Sequence, residues 1–343
     1  MKAAVFTGLK RIETQDVPQP KPKPDEVLIR VRAAGVCGSE VHAFIGTHPF
    51  RKPPAIMGHE VSGDVVEVGS EVRGISVGDR VIVNPQKVCG TCFYCQSGNS
   101  HLCIRKTMMG TPAWTGAFGE FVTSHESCVI KIPDSFSYEE GVMCEPLAVG
   151  VHSVKKARVA LGEMVLVLGS GAIGLCCIAA ARAAGATKIL ATDAYDFNLE
   201  LARKVGAGAV FNVRSAGSLG DAVAESLRPE GADVVMVTAG FDPVVAQALV
   251  HVRKLGRVAL VALFDGALTI AEPFHIGLKE LDVIGVHTYE HQDFYTAIEL
   301  IRDGMVDVKS MVTHVLPIEE AQRALELVHN KTENNAKVIL TFK

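Results

Sequence analysis

Short apolar runs dominate the first part of the chain: Ala3–Phe6, Glu26–Arg32, Gly63–Val68, Arg80–Val83 and Gly119–Thr123. Gly and Pro punctuation separates them, as in Pro18-Gln19-Pro20 and Pro22-Lys23-Pro24, and the pattern predicts an all-β or barrel-like module over residues 1–151. From about His152 to Tyr289 the rhythm changes. Apolar runs at Val165–Leu168, Ile189–Thr192, Val210–Asn212, Val234–Thr238, Val258–Leu263 and Val283–Val286 alternate with helical segments. Such alternation predicts a parallel sheet covered on both faces by helices, over residues 152–289. Residues 290–343 resemble neither module: amphipathic helices are expected near Phe294–Asp303 and Ile318–Val328, then a strand at Val338–Phe342. The fold class expected is therefore α/β, with a β-rich module beside a doubly wound one. No fixed-period repeat argues for a solenoid or propeller.

At 343 residues the chain is long enough for a little over two domains of roughly 150 residues each. Hydrophobic residues at 48% and charged residues at 21% are globular proportions. The net charge of −4, without a Lys/Arg block, argues against nucleic acid and anionic lipid surfaces and in favour of a small-molecule partner. Met164 to Ala181 carries no charge, and at about 18 residues it reaches the lower limit for a membrane span. Gly169, Gly171 and Gly174 read better as strand, tight turn and buried helix, so no membrane span is expected. The opening residues lack the apolar core of a secretory signal, so the nine cysteines are expected as thiols in a cytoplasmic protein.

Val165–Leu168 is followed by Gly169-Ser170-Gly171-Ala172-Ile173-Gly174, a G-x-G-x-x-G between a strand and a helix. The first glycine permits the turn, the second admits a pyrophosphate to the positive helix N-terminus, and the third allows close helix–strand packing. Asp193 ends the next expected strand, where a carboxylate accepts hydrogen bonds from the adenosine ribose and repels a 2′-phosphate. Ala194–Asn198 offers no Arg to neutralise such a phosphate, so NAD is favoured over NADP. The competing reading makes Asp193 a helix cap and the glycines an ordinary turn.

Cys89, Cys92, Cys95 and Cys103 put four thiols into one short stretch, the donor set of a closed structural zinc site. Disulfides would need the same residues, but the compartment and the tight spacing favour a single ion. A nucleic-acid finger is disfavoured by the lack of a recognition helix. Three further places carry metal-binding residues: Cys37 to His42, Gly58-His59-Glu60, and Cys144-Glu145-Pro146-Leu147. Together they suit a zinc site with one open position, although each alone also reads as a buried thiol or a hydrogen-bonded loop histidine.

These motifs and their order resemble the zinc-dependent medium-chain dehydrogenase/reductase family across essentially the whole chain, and Glu145-Pro146-Leu147 looks most like its polyol (sorbitol-type) branch. The resemblance implies a GroES-like catalytic domain, a Rossmann domain inserted after it, and a C-terminal segment returning to the first. It implies that Cys37, His59 and Glu145 surround a catalytic zinc, with Glu60 a direct or alternating ligand. Ser39 would take the substrate proton, and His42 would end the relay to solvent. Gly169, Gly171, Ala172, Ile173, Gly174, Asp193 and Thr238 would bind the cofactor. The implied cofactors are two zinc ions per chain and NAD, and the implied assembly is a dimer or tetramer.

Some positions depart from the family pattern. Glu40 stands where Asp usually steadies the ligand His, Val237 replaces a Glu, and Thr288-Tyr289 replaces Arg-Tyr. Trp114 and Phe118 match a turn that the family places near the substrate, with core packing as the alternative. The expected activity is NAD-dependent oxidation of a secondary alcohol of a polyol to a ketone. A threonine-type 3-dehydrogenase and a non-catalytic NAD-binding protein are the alternatives.

Overall fold

The computed structural model describes residues 1–264 and 268–342. It divides into two compact units, one of Met1–Glu145 with Val312–Lys343, the other of Pro146–Met311. The expected breaks after Val151 and Tyr289 differ from these. The first falls inside the continuous helix Tyr138–Lys156, and the helix His291–Arg302 belongs to the second unit, so the return to the first begins at Val312.

The first unit is built on a largely antiparallel sheet in the order Val129–Lys131, Arg80–Val83, Glu60–Val68, Glu26–Val36, Lys337–Thr341, Val312–Pro317, with Phe121–His125 also paired to Glu26–Val36. The long central strand alternates enough to bury Val27, Ile29 and Val31 on one face, and these join Phe6, Phe44, Met57 and Phe118 in the main core. Helix Ala321–Asn330 contributes Ala324, Leu325 and Leu327 to that core, which is what ties the late segment down. Its apolar stripe was legible as the expected helix near Ile318–Val328, although the first turn is a 3₁₀ turn, Ile318–Glu320. A two-stranded ladder, Gln86–Lys87 with Thr107–Met108, closes the base of the four-cysteine lobe.

The second unit holds a six-stranded parallel sheet, in the order Ala209–Asn212, Lys188–Asp193, Met164–Leu168, Ala232–Val237, Val252–Leu260, Asp282–Gly285. Val165–Leu168 and Val234–Val237 are buried throughout, as continuous apolar runs must be in a sheet covered on both faces. The uncharged stretch from Met164 resolves into strand, glycine turn and the helix Ala172–Ala183. Among the described residues no helix is long and apolar enough to cross a membrane.

Candidate metal centres and nucleotide loop

In the lobe, one sulfur from each of Cys89, Cys92, Cys95 and Cys103 lies within 4.8 Å of the others. Neighbouring sulfurs are 3.4 Å (Cys103 to Cys89), 3.5 Å (Cys92 to Cys95) and 3.9 Å (Cys89 to Cys95) apart. These separations are far too long for disulfides and close to the ~3.8 Å edge of a tetrahedron with zinc–sulfur bonds of about 2.3 Å. Backbone N–H groups of Cys89 and Arg105 donate to Cys103 Sγ, and Arg105 Nη2 donates to Cys89 Sγ. Donation from the Thr91 backbone and from Arg105 pulls the Cys89 thiol down to about 5, which favours the thiolate that a metal needs. The four-thiol set fits zinc.

The second set is assembled from three separate places. Cys37 caps the helix Gly38–Phe44, His59 precedes the strand Glu60–Val68 that Glu60 begins, and Glu145 lies on the helix Tyr138–Lys156. Two overlapping groups result, Cys37 with Glu40 and His59, and His59 with Glu60 and Glu145, each with donor atoms within 4.8 Å. His59 is common to both. A thiol, an imidazole and carboxylates on largely buried residues form a donor set that fits zinc with a position left open.

Glu40 is fully buried and uses both its oxygens. Oε2 accepts the Cys37 backbone N–H at 3.1 Å as part of the helix capping box, and Oε1 lies 2.6 Å from His59 Nδ1. The Glu in place of Asp thus still reaches the histidine, and a carboxylate at Nδ1 leaves Nε2 to face a metal. Burial opposes ionisation of Glu40, yet His59 and Arg51 hold its carboxyl at about 2. Burial likewise opposes a charge on His59, and Glu40 with Cys37 holds it well above its ordinary value.

Two participants carried no sequence signal. Arg51 is buried and donates through Nη1 to Ser39 Oγ at 2.8 Å and to Glu40 Oε1 at 3.0 Å. Lys337, 2% exposed in the last strand, forms an ion pair with Glu60. Burial alone would pull Lys337 down, but Glu60, Cys37 and Glu145 hold it above its usual range. Gly35, paired with Glu60 across the sheet, makes room for this contact: a Cβ there would sit 1.8 Å from Glu60 Oε2 and 2.9 Å from Lys337 Cε.

Ser39 and His42 lie three residues apart on the same short helix, and His42 Nδ1 is 3.1 Å from Thr47 Oγ1. Phe118 is fully buried and packs over Gly58, while Trp114 is half-buried and donates through Nε1 to Thr123 O at 2.8 Å. Trp114 also lines a cavity of about 410 Å³ beside the cysteine lobe, with Lys23, Lys87 and Arg105.

In the second unit the glycine turn joins Met164–Leu168 to Ala172–Ala183, with Gly171 as helix cap. A Cβ on Gly174 would meet Gly169 O at 1.9 Å, so the helix sits as close to the strand as only glycine allows; one on Gly171 would meet open space, as a loop that receives a phosphate requires. Ala172 and Ile173 form the first turn of that helix. Asp193 closes its strand and accepts N–H groups from Ser170 at 2.8 Å and Tyr195 at 3.0 Å, which holds the carboxylate beside the glycine loop. Thr238 Oγ1 donates to Gly169 O at 2.6 Å, bracing the turn from the neighbouring strand. These residues fit a dinucleotide.

Residues 23–134 match the family described as the alcohol dehydrogenase GroES-like domain, and residues 172–303 match the one described as zinc-binding dehydrogenase. Sorbitol dehydrogenase of Bacillus subtilis is 37% identical over 331 residues, covering 95% of this chain and 93% of that protein. The chain belongs to the zinc-dependent medium-chain dehydrogenases. Within this family its relatives place it in the polyol dehydrogenase branch, since L-idonate 5-dehydrogenase of Vitis vinifera is also 36% identical over 318 residues, covering 91% and 86%. A zinc-binding dehydrogenase from Sinorhizobium meliloti, solved with NADP bound, shares the medium-chain fold at a TM-score of 0.93 and 32% identity over 99% of both chains.

Proposed function

We propose that the protein oxidises a secondary alcohol of a polyol or sugar alcohol to a ketone, passing the hydride to NAD. The observation that carries this reading is the buried thiol–imidazole–carboxylate set around His59, in a chain that also holds the glycine loop with Asp193. Its relatives' names point to polyols, and Asp193 supports NAD over NADP, although the Sinorhizobium relative was solved with NADP. In this reading the first unit is the zinc-binding catalytic domain and the second the NAD-binding domain.

Cys37, His59 and Glu145 would hold the catalytic zinc, with Glu60 as direct or alternating ligand, and the four lobe cysteines would hold a structural one. When bound, zinc would supply the Lewis acidity that eases loss of the alcohol proton near neutral pH, and NAD the hydride acceptor. Glu40 orients His59 through Nδ1. Ser39 receives the alcohol proton, and His42, on the same helix face, delivers it to solvent. Asp193 fixes the adenosine end of the cofactor, and Thr238 steadies the loop that meets its phosphates.

A cytoplasmic setting belongs to the same proposal and is supported by nine free thiols. So does a homo-oligomer, dimer or tetramer, supported by the edge strand Asp282–Gly285, which among the described residues pairs on one side only and leaves Val283 39% exposed. The test is NADH formation by the zinc-replete protein with linear and cyclic polyols, sugar phosphates, L-threonine and simple secondary alcohols. Turnover of a polyol that is abolished in Cys37→Ser is the expected result. Turnover of threonine alone, or none with any alcohol despite NAD binding, would overturn it.

A further inference from the structure

Arg51 touches both the proton-accepting hydroxyl of Ser39 and Glu40, the group that orients the histidine. We propose that it is a positioning residue for proton transfer, fixing the direction of the Ser39 hydroxyl while locking Glu40 against His59. The proposal rests on the reading of Ser39 and His59 given above and extends it to a residue outside every motif.

A serine oxygen offers one O–H and two lone pairs, whereas a guanidinium only donates. Arg51 Nη1 occupies one lone pair of Ser39 Oγ at 2.8 Å, so the Ser39 proton must point away from Arg51. One lone pair and one O–H remain, and these are what a proton relay needs. As the alcohol proton arrives, an O–H bond forms on the free lone pair and the original O–H breaks, its proton leaving toward the His42 end of the helix. Ser39 finishes as a neutral hydroxyl. Without Arg51 the hydroxyl is a free rotor, and many of its orientations present the hydrogen instead of the lone pair to the substrate.

The guanidinium is itself held in place. Its Nη1 also donates to Glu40 Oε1 at 3.0 Å, the same oxygen that lies 2.6 Å from His59 Nδ1, and its Nη2 reaches Met109 O at 3.4 Å. The Arg51 backbone N–H donates to Nδ1 of His48, and burial together with Arg51 keeps His48 down at about 4, so that the ring stays a neutral acceptor. The guanidinium thus spends its Nη donors on Ser39, Glu40 and Met109 O.

Arg51→Met and Arg51→Lys test this, with Ser39→Ala and the Ser39→Ala/Arg51→Met double variant. Zinc content and NAD affinity are measured for each, so that an unfolded or metal-depleted variant is recognised. If the wild type turns over no alcohol, the functional reading fails first. The test of Arg51 then rests on ¹H–¹⁵N spectra of histidine-labelled protein, which report the Nδ1–H of His59 without substrate. The expected result is a fall in kcat on the order of tenfold to a hundredfold for Arg51→Met, with a much smaller change in KM. Arg51→Lys should recover part of it, since an ammonium donates to one of the two oxygens. The double variant should be no slower than Ser39→Ala alone, and the His59 Nδ1–H resonance should shift in Arg51→Met. Multiplying losses in the double variant, an unchanged kcat, or an unmoved His59 resonance would overturn the proposal.

Discussion

Lys337 and Glu60 stand 277 positions apart in the chain and form a buried ion pair beside the candidate catalytic centre. Breaking such a pair strands a charge away from water. Lys337→Met should therefore lower the free energy of unfolding by about 3–5 kcal/mol, read from urea denaturation. Adding Glu60→Gln should restore much of the loss, because a neutral amide no longer needs the ammonium. A single variant as stable as the wild type would contradict the burial argument.

The two donor sets should lose their ions independently. Cys95→Ser is expected to bring bound zinc from two per chain to one and to lower thermal stability markedly while leaving the Cys37 set loaded. Cys37→Ser should also leave one zinc, but with the lobe intact and stability little changed. Elemental analysis of the purified variants, with thermal melts, separates the two cases.

In the proposed function the charge of Asp193 selects the cofactor. Replacement by Gly should weaken NAD binding on the order of tenfold, or ~1.4 kcal/mol, while affecting NADP less or improving it. Titration of the fluorescence of the reduced forms, NADH and NADPH, gives the ratio, and an unchanged ratio would place discrimination elsewhere.

Acid should loosen the second unit through Asp293. This carboxylate is buried, and although burial opposes its charge, bonds from His152 and Lys155 hold it below its ordinary 3.8. A carboxyl depressed by folding contributes stability above its unfolded value and loses it as pH falls through the folded one. Stability should therefore fall as pH drops below about 4. Asp293→Asn should be less stable at neutral pH by about 1–3 kcal/mol and show a flatter acid limb in denaturant midpoints against pH.

The sequence was most legible where chemistry depends on near neighbours. The cysteine lobe and the glycine turn are local: spacing within a few residues determines which atoms converge, and the structure brings those atoms together. Alternating apolar runs likewise announced each parallel strand, with ends shifted by a few residues; the fifth begins at Val252, well before the expected Val258. Arg51 and Lys337 were illegible for the opposite reason. Each is a cation in an ordinary polar or strand context, and its importance comes from burial against an acid supplied by another segment. For Lys337, pairing across the sheet, Gly35 with Glu60 and with Ile339, creates that proximity, and no short window of sequence contains it.

Because the first unit combines Met1–Glu145 with the later segment from Val312, and the second unit is contiguous in sequence, the order of synthesis matters. Residues 146–311 leave the ribosome as one piece able to close its sheet at once, whereas the earlier strands must wait for Val312–Pro317 and Lys337–Thr341. Until then Glu60, in the candidate metal centre, lacks the Lys337 ammonium that pairs with it. A nascent chain arrested before Val312 should accordingly resist protease in its Rossmann part while residues 26–68 are cut, with metal loading a late event in the life of the polypeptide.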